Sequence, residues 1–351
     1  MYGVGVIGCG GMGRGHAGRF ASLPDVQVVA CADVREEAAR QAAAEHAAQA
    51  YTDGRQLLDD PRVNIAVICT STPSHAEFIE EAARRGKHIF CEKPLARTLA
   101  DARRAIDAAK QAGVCLMVGH VLRFFPEYAL AKRLLDDGAI GRPALARTTR
   151  ASAHPRTVGD WFADPEVSGG VLVDMAIHDI DFLLWCFGPA QRVYCKALTY
   201  RGPEMTDYAL ATVRFKSRVI AHIEGSWAHT PGTFFTKLEI AGDQGLLEYD
   251  SAAASPLQVW RKAKGESAPG VMVPESPLAE SPYLVEIREF MDCVRTGRQP
   301  SVTPQDAYDA LELALAAVES SRRGEVVTLP LVGQDCILPS GSQIENLRHR
   351  P

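Results

Sequence analysis

Apolar and polar positions follow different patterns in the two parts of the chain. Up to about residue 120, short runs that are apolar throughout alternate with stretches rich in Ala, Glu and Arg. The apolar runs are residues 4–7, 26–32, 65–69, 87–91 and 115–119, and the stretches between them include 36–48, 75–85 and 99–112. Strands that are buried on both faces of a parallel sheet are apolar throughout. The pattern therefore predicts repeated β-α units and a doubly wound parallel sheet.

After residue 120 the pattern changes to alternation of apolar and polar positions. The alternating stretches are residues 192–200, 208–215, 219–227, 236–241 and 245–249. Such alternation is typical of an antiparallel sheet that is covered on one face. We therefore expect an α/β protein, in which the doubly wound sheet is followed by an α+β domain with a large, mainly antiparallel open sheet. The expected domains are residues 1–121 and 122–330, with a C-terminal tail at 331–351.

Composition and charge limit the kinds of partner. The chain has 351 residues, which is enough for two domains with separate cores. Its net charge of −5 provides no basic field that would attract nucleic acid or an anionic membrane. The nine cysteines include no Cys-x-x-Cys pair, and no apolar run approaches the length of a membrane-spanning helix. We expect a reduced, cytoplasmic protein with no metal site, no nucleic-acid partner and no membrane partner.

The first predicted strand leads directly into a glycine-rich turn. The pattern Gly-x-Gly-x-x-Gly is fitted by Gly8, Gly10 and Gly13, with Gly11 and Met12 between them. Gly8 would allow a tight turn, Gly10 would let backbone amides approach a pyrophosphate, and Gly13 would let the next helix pack closely on the strand. A strand precedes the turn and a helix follows it, which favours a dinucleotide site over an ordinary glycine turn.

The second predicted strand ends at Asp33, at about the distance from Gly13 where a carboxylate accepts hydrogen bonds from the adenosine ribose. The negative charge would repel a 2′-phosphate, so NAD is favoured over NADP. Arg35 leaves an alternative open, because its guanidinium could pair with that phosphate or stack on adenine. An exposed arginine at the start of a helix would have neither role.

Two further strand ends carry polar residues that suit a cofactor site. Thr70, Ser71 and His75 follow the third predicted strand, where hydroxyls and free amides serve either as helix caps or as cofactor contacts. Glu92 and Lys93 follow the fourth strand, at the carboxyl edge where open α/β folds bind their ligands. A cation at this edge would stabilise negative charge that develops on a substrate oxygen.

The second part of the chain contains a carboxylate and an imidazole four residues apart. Asp174 and His178 lie in a stretch with helical apolar spacing, so we expect both to project from one helix face. A carboxylate beside an imidazole orients it and stabilises its protonated form, as a general base requires. The alternative is a surface pair on a helix. Asp179 and Asp181 are expected to be capping, structural or solvent-facing residues.

Together these motifs resemble those of the Gfo/Idh/MocA oxidoreductase family. The resemblance rests on the glycine turn, the Glu-Lys-Pro tripeptide at 92–94 and the pattern Gly-Gly-x-x-x-Asp-x-x-x-His at 169–178. It implies an N-terminal Rossmann domain that binds NAD and a C-terminal domain whose open sheet joins subunits into homodimers or homotetramers. It also implies that Lys93, Asp174 and His178 face the nicotinamide.

The activity implied by the resemblance is NAD(P)-dependent hydride transfer between the nicotinamide and a secondary alcohol of a cyclic polyol, such as inositol, or a sugar. His178 would accept the hydroxyl proton, Asp174 would hold the imidazole and Lys93 would stabilise the alkoxide. A second interpretation is a glycoside hydrolase that uses NAD for transient ring oxidation followed by elimination. A third, a catalytically silent sugar sensor, is disfavoured because all three residues are present.

Several polar and aromatic residues near the motif segments are candidates for substrate contact. They are Arg123, His154, Arg156 and Trp161, in regions where the family places such contacts. His16, on the first predicted helix, is expected to pack rather than to take part in chemistry, and His222 is expected to be structural.

Overall fold

The structure is a computed structural model that describes residues 1–155, 161–198, 207–230, 232–253 and 280–331, and the backbone of 257–261. The chain divides into two compact units. The first consists of Met1–Phe124 with Leu278–Tyr308, and the second of Phe125–Pro277 with Asp309–Pro351. Arg156 and the predicted tail beyond Leu331 lie outside the described residues.

The first unit contains a parallel sheet with helices between successive strands. Its strands are β1 (Tyr2–Ile7), β2 (Val26–Ala32), β3 (Gln49–Tyr51), β4 (Ile65–Ile68), β5 (His88–Cys91) and β6 (Leu116–Val118). Its helices up to residue 124 are α1 (Gly11–Ala21), α2 (Glu36–Ala44), α3 (Gly54–Asp59), α4 (His75–Arg84) and α5 (Leu99–Ala112). Among the described residues the strand order is β3-β2-β1-β4-β5-β6, and every adjacent pair is parallel. This order confirms the predicted doubly wound sheet.

The second unit contains a larger sheet and, up to residue 261, four helices. Its helices up to residue 261 are α6 (Pro126–Asp136), α7 (Pro165–Ser168), α8 (Gly170–Asp174) and α9 (Ile177–Phe187). Its strands over the same range are β7 (Pro143–Ser152), β8 (Ala190–Leu198), β9 (Tyr208–Phe215), β10 (Ile220–Ser226), β11 (Phe234–Gly242), β12 (Gly245–Asp250) and β13 (Leu257–Arg261). All of these counts refer to the described residues.

The chain continues through α10 (Pro282–Thr296), α11 (Pro304–Arg323) and β14 (Val327–Thr328). The described strands of the second sheet have the order β13-β12-β11-β7-β10-β9-β8-β14. Only β7 and β10 run parallel, and the other adjacent pairs are antiparallel. The prediction of a large, mainly antiparallel sheet is therefore confirmed.

In the described part of the chain, one face of the second sheet is covered by helices and the other is open. The side chains of Val193, Ala211 and Ile223 are buried on the covered face, where α8 and α9 contact β10. Leu198 and Leu210 lie on the open face with exposed fractions of 66% and 43%. The period-2 burial follows from the pleat, which turns alternate side chains to opposite faces.

Helix α10 belongs to the core of the first unit. Its buried residues Ile287, Phe290 and Met291 form one cluster with Val4 and Phe90 of the parallel sheet. The sequence-based division placed these helix residues in the second domain, because chain order alone does not reveal which sheet a late helix covers. None of the helices in the described ranges is long and apolar enough to cross a membrane.

Candidate functional site

The glycine turn holds the start of α1 against the ends of β1 and β4. Gly8 has a φ of 93°, and a Cβ there would lie 2.5 Å from the carbonyl oxygen of Cys69. A Cβ on Gly13 would lie 1.8 Å from the carbonyl oxygen of Gly8. Neither position has room for a side chain. Glycine is therefore what allows the turn to be tight and the helix to approach so closely.

The middle of the same turn faces open space. A Cβ added to Gly10 or Gly11 would meet no heavy atom within 4 Å. Met12, next in the chain, is also exposed. The first turn of α1 carries no acidic residue, so its amide groups and positive dipole end can receive an anion. This shape fits the pyrophosphate of a dinucleotide.

Asp33 lies directly after β2, beside the glycine turn. Its Oδ2 accepts a hydrogen bond of 2.9 Å from the backbone N–H of Cys9. Its Oδ1 accepts from the backbone N–H of Arg35 at 2.9 Å and from Nε of the same residue at 3.2 Å. These bonds fix the carboxylate at the end of β2, as a ribose-binding acid requires. Arg35 is about half exposed and pairs with Asp33.

His75 joins two loops of the first unit. Its Nδ1 lies 2.8 Å from the carbonyl oxygen of Pro94, and its Nε2 lies 3.0 Å from that of Thr70. Burial lowers the pKa of the imidazole, although the two carbonyl groups oppose that shift. The ring of His75 therefore connects the loop at Thr70 with the loop at Pro94. Thr70 also accepts a hydrogen bond of 2.7 Å from Ser74 on its hydroxyl, and Ser71 is exposed.

Glu92 is buried directly before Lys93. Its Oε1 lies 2.6 Å from Nε2 of His16 on α1, and its Oε2 accepts from the backbone N–H of Lys93 at 3.2 Å. Burial alone would raise the pKa of this carboxyl group, but the His16 hydrogen bond and the positive charge of Lys93 bring it below its ordinary value. Glu92 is therefore ionised. The Lys93–Pro94 peptide bond is cis.

The sequence predicted that Asp174 and His178 project from one helix face. In the structure of the second unit they lie on two successive helices. Asp174 is the last residue of α8, and His178 lies in the first turn of α9. Between them, the backbone N–H of Ala176 donates to the carbonyl oxygen of Val171 at 2.8 Å, a bond that spans five residues. Such a π-type turn inserts one residue into the helical repeat and changes the angle between the flanking residues. Asp174 is buried and His178 is partly exposed.

The junction between α8 and α9 lies directly on the second sheet. A Cβ on Gly225 of β10 would come within 3.3 Å of both Ala176 and Val171. Glycine at this position therefore permits the close approach of the junction. The next residue after His178 is also fixed to the sheet: Asp179 accepts from Nε of Arg150 on β7 at 2.6 Å.

The Arg150–Asp179 pair is buried on both sides. The side chains are 7% and 1% exposed. Burial opposes the charge of Arg150, but Asp179 raises the pKa of the guanidinium above its ordinary value. A buried pair of this kind holds its two elements in one arrangement, because separating the charges leaves each without solvent. Asp181 is also fully buried, so both aspartates are structural rather than solvent-facing.

The predicted substrate residues have different surroundings. In the first unit Arg123 is buried, and its guanidinium contacts the carbonyl oxygen of Ser301 and the carboxylate of Asp306 at 3.3 and 3.5 Å. In the second unit His154 packs edge-on against Trp227, and Trp161 stacks on Phe162 with ring centroids 3.9 Å apart. Arg156 lies outside the described residues.

Two residues of these surroundings were not found from the sequence. His16 was expected only to pack, and Arg150 was not noticed. Their partners are separated from them along the chain by 76 and 29 residues, so no local spacing connects them. His222 contacts Thr212 across two strands, which agrees with a structural role. In the described ranges, no group of three or more His, Cys, Asp or Glu residues could hold a metal ion.

Residues 2–120 match the family model described as "Oxidoreductase family, NAD-binding Rossmann fold", and residues 128–248 match the "GFO/IDH/MocA C-terminal domain". Together the matches cover more than half of the chain. The chain belongs to the Gfo/Idh/MocA oxidoreductase family. Membership confirms the resemblance, identifies the first unit as an NAD-binding Rossmann domain and makes the protein an NAD-dependent oxidoreductase.

Relatives within this family are similar over nearly their whole length. The chain is 31% identical to a myo-inositol 2-dehydrogenase of Thermotoga maritima, over 93% of this chain and 98% of that protein. It is 32% identical to a scyllo-inositol 2-dehydrogenase (NAD(+)) of Bacillus subtilis, over 92% and 95%. The structure of a levoglucosan dehydrogenase with NADH and levoglucosan superposes with a TM-score of 0.85 and 26% identity, over 94% of this chain and 100% of that one.

Proposed function

We propose that the protein is an NAD-dependent dehydrogenase that oxidises a secondary alcohol of a cyclic polyol or a sugar. The observation that carries this proposal is the similarity to two inositol dehydrogenases over more than nine-tenths of each chain. The levoglucosan dehydrogenase structure supports the same chemical class, a ring bearing secondary hydroxyl groups. The relatives named here are dehydrogenases and give no support to the glycoside hydrolase interpretation.

The residues that would hold NAD lie in the first unit. The open turn at Gly10 and Gly11, with the amide groups of α1, would receive the pyrophosphate. Asp33 would accept hydrogen bonds from the adenosine ribose, and its charge would disfavour a 2′-phosphate. Thr70 and Ser71, at the end of β4, would border the cofactor, whereas His75 would act by bracing their loop.

Three side chains would act on the substrate. When bound, NAD accepts the hydride from the carbinol carbon. His178 accepts the proton of the hydroxyl group as that hydride leaves, and Asp174 orients the imidazole and stabilises its protonated form. Lys93 donates a hydrogen bond to the same oxygen and stabilises the negative charge that develops there.

The open face of the second sheet supports a further proposal, that the protein forms a homodimer or homotetramer. The exposed side chains of Tyr194, Leu198, Leu210 and Ile220 lie on three neighbouring strands of this face. Polar side chains lie between them, since Leu210 is opposite Lys196 and Glu224. Protein interfaces combine exposed apolar side chains with polar neighbours of this kind. Self-complementary surfaces of this type form twofold interfaces.

The test of the catalytic proposal compares kcat with cofactor affinity. Inositol isomers, monosaccharides and levoglucosan are screened with NAD by NADH absorbance, and the products are identified. We expect Lys93→Ala and His178→Ala to lower kcat about 10²- to 10⁴-fold while the Kd for NAD changes by less than about threefold.

Two matched variants control for the substitutions. Lys237→Ala removes an exposed lysine that pairs with Asp250, and His46→Ala removes a histidine that lies after α2. Both should retain the turnover of the unchanged protein. Turnover unaffected in either Lys93→Ala or His178→Ala would refute the role of that residue, and glycoside cleavage without net NADH would refute the dehydrogenase proposal.

A further inference from the structure

Helix α1 has a second link to the rest of the first unit besides the glycine turn. His16, in its second turn, is fully buried and contacts Glu92 through Nε2 at 2.6 Å. The ring packs edge-on against Phe90, with centroids 5.2 Å apart, and lies 6.2 Å from the ring of Tyr283. Contacts on several sides hold the imidazole in one orientation, so it cannot turn away from Glu92.

Both carboxylate oxygens of Glu92 are engaged. Oε1 contacts His16, and Oε2 accepts from the backbone N–H of Lys93 at 3.2 Å. Because the carboxylate is ionised, it accepts the hydrogen bond from His16, whose Nε2 therefore carries the proton. The Nδ1 of His16 is buried and has no hydrogen-bond partner among the described residues, so the contact of the ring with Glu92 is made through Nε2 alone.

Pro94, the residue after Lys93, is held by a different histidine. The carbonyl oxygen of Pro94 lies 2.8 Å from Nδ1 of His75, and the same ring contacts the carbonyl oxygen of Thr70. Lys93 is thus flanked by two residues that are each fixed to a buried histidine. The His16 contact leads back to α1, whereas the His75 contact leads to the loop after β4.

We propose that His16 is a positioning residue, which acts through Glu92 to fix the backbone of Lys93 relative to α1. The proposal rests on the proposed function, in which Lys93 stabilises the reacting oxygen and α1 binds the cofactor. His16 would then set the position of the catalytic cation relative to the pyrophosphate-binding helix. Loss of alignment at a reacting centre by about 1 Å costs up to about 10² in rate.

The first experiment separates the hydrogen bond from the packing. His16→Phe keeps a ring beside Phe90 but removes the donor, whereas His16→Gln keeps an N–H near the position of Nε2. We expect kcat to fall about 10- to 100-fold in His16→Phe and to recover to within about threefold of the unchanged protein in His16→Gln. The Kd for NAD should change by less than about threefold in both. His46→Phe and His46→Gln, outside α1, are the matched controls.

The second experiment needs neither substrate nor cofactor. The backbone ¹⁵N–¹H resonance of Lys93, assigned by its loss or shift in Lys93→Arg, reports the hydrogen bond to Glu92 directly. It should move in His16→Phe and stay near its original position in His16→Gln and in both His46 variants. If His16→Phe does not fold, His16→Asn replaces it, since its shorter side chain withdraws the donor from Glu92.

Three results would overturn the proposal. The first is a kcat in the donor-lacking variant within threefold of the unchanged protein, with the Lys93 resonance unmoved. The second is an equal loss in His16→Gln at unchanged thermal stability. The third is a fall in NAD affinity that accounts for the whole loss of activity, because His16 would then only stabilise the cofactor-binding helix α1. Failure of the proposed function is a separate result: the unchanged protein oxidises no member of the substrate panel, and the Lys93 resonance still decides the positioning role.

Discussion

At the scale of the residue, the glycines of one turn meet different physical demands. Gly8 and Gly13 are positions where a side chain has no room, since an added Cβ would come within 2.5 and 1.8 Å of backbone oxygens. At Gly10 and Gly11 a side chain would meet no other atom of the protein, but it would occupy the space that a bound ligand needs. The pattern in the sequence is the same for both kinds, and only the structure separates packing glycines from binding glycines.

This difference predicts opposite phenotypes for two alanine substitutions. Gly13→Ala should lower the Tm of the protein without NAD, because the methyl group overlaps the carbonyl group of Gly8 and costs about 1–3 kcal/mol or more. Gly10→Ala should leave that Tm unchanged, since its φ of −74° suits any residue, but should reduce the rise in Tm on adding NAD. Thermal melts with and without NAD measure both. Equal loss of intrinsic stability in the two variants would contradict the assignment.

Single residues also show where sequence reasoning stops. Gly8, Asp33 and Lys93 were found because strand ends and glycine spacing are local features. The environment of Arg123 was not predictable, because Asp306 lies far along the chain and on another element. The same holds for His16 and Glu92, whose contact depends on how α1 packs beside β5.

At the scale of the element, continuous apolar runs predicted the buried parallel strands well. Strand β3 was missed because it has three residues and none of them is buried. Strand β7 was missed although it is central in the second sheet, because Arg147, Thr148, Thr149 and Arg150 interrupt its apolar pattern. Arg150 occupies a buried position there only because Asp179 neutralises it.

The link between β5 and β6 predicts a dependence of stability on pH. Nδ1 of His88 accepts a hydrogen bond of 3.1 Å from the backbone N–H of Cys115, and burial lowers the pKa of this imidazole. The unfolded chain therefore binds a proton more readily than the folded one, and the free energy of unfolding falls as the pH drops below about 6.5. At higher pH the contribution is fully present.

His88→Asn tests this origin. Its side-chain oxygen can accept from Cys115 but does not titrate, so the Tm should fall less between about pH 7 and pH 5 than in the unchanged protein. His46→Asn provides the control for loss of a histidine elsewhere in the same unit. Parallel Tm curves for His88→Asn and the unchanged protein would assign the pH dependence to other groups.

At the scale of the whole molecule, the open face of the second sheet predicts self-association. Leu198→Asp places a charge at the most exposed apolar side chain of this face, opposite Tyr208 in the register. It should convert the oligomer to a smaller species, because a buried unpaired charge is strongly unfavourable at an interface. Light scattering after gel filtration measures the molar mass. Val285→Asp changes an apolar side chain that is 36% exposed on α10 of the first unit and should leave the mass unchanged. A monomeric unchanged protein would refute the proposal.

The position of α10 has a consequence for the synthesis of the chain. The core of the first unit includes Phe290 and Val302, yet the unit is interrupted by Phe125–Pro277. When only the first 124 residues have left the ribosome, the core of the parallel sheet still lacks the apolar side chains of α10. The Rossmann unit can complete its core only after most of the other unit has emerged, so the nucleotide-binding part of this enzyme begins first but completes its core late in synthesis.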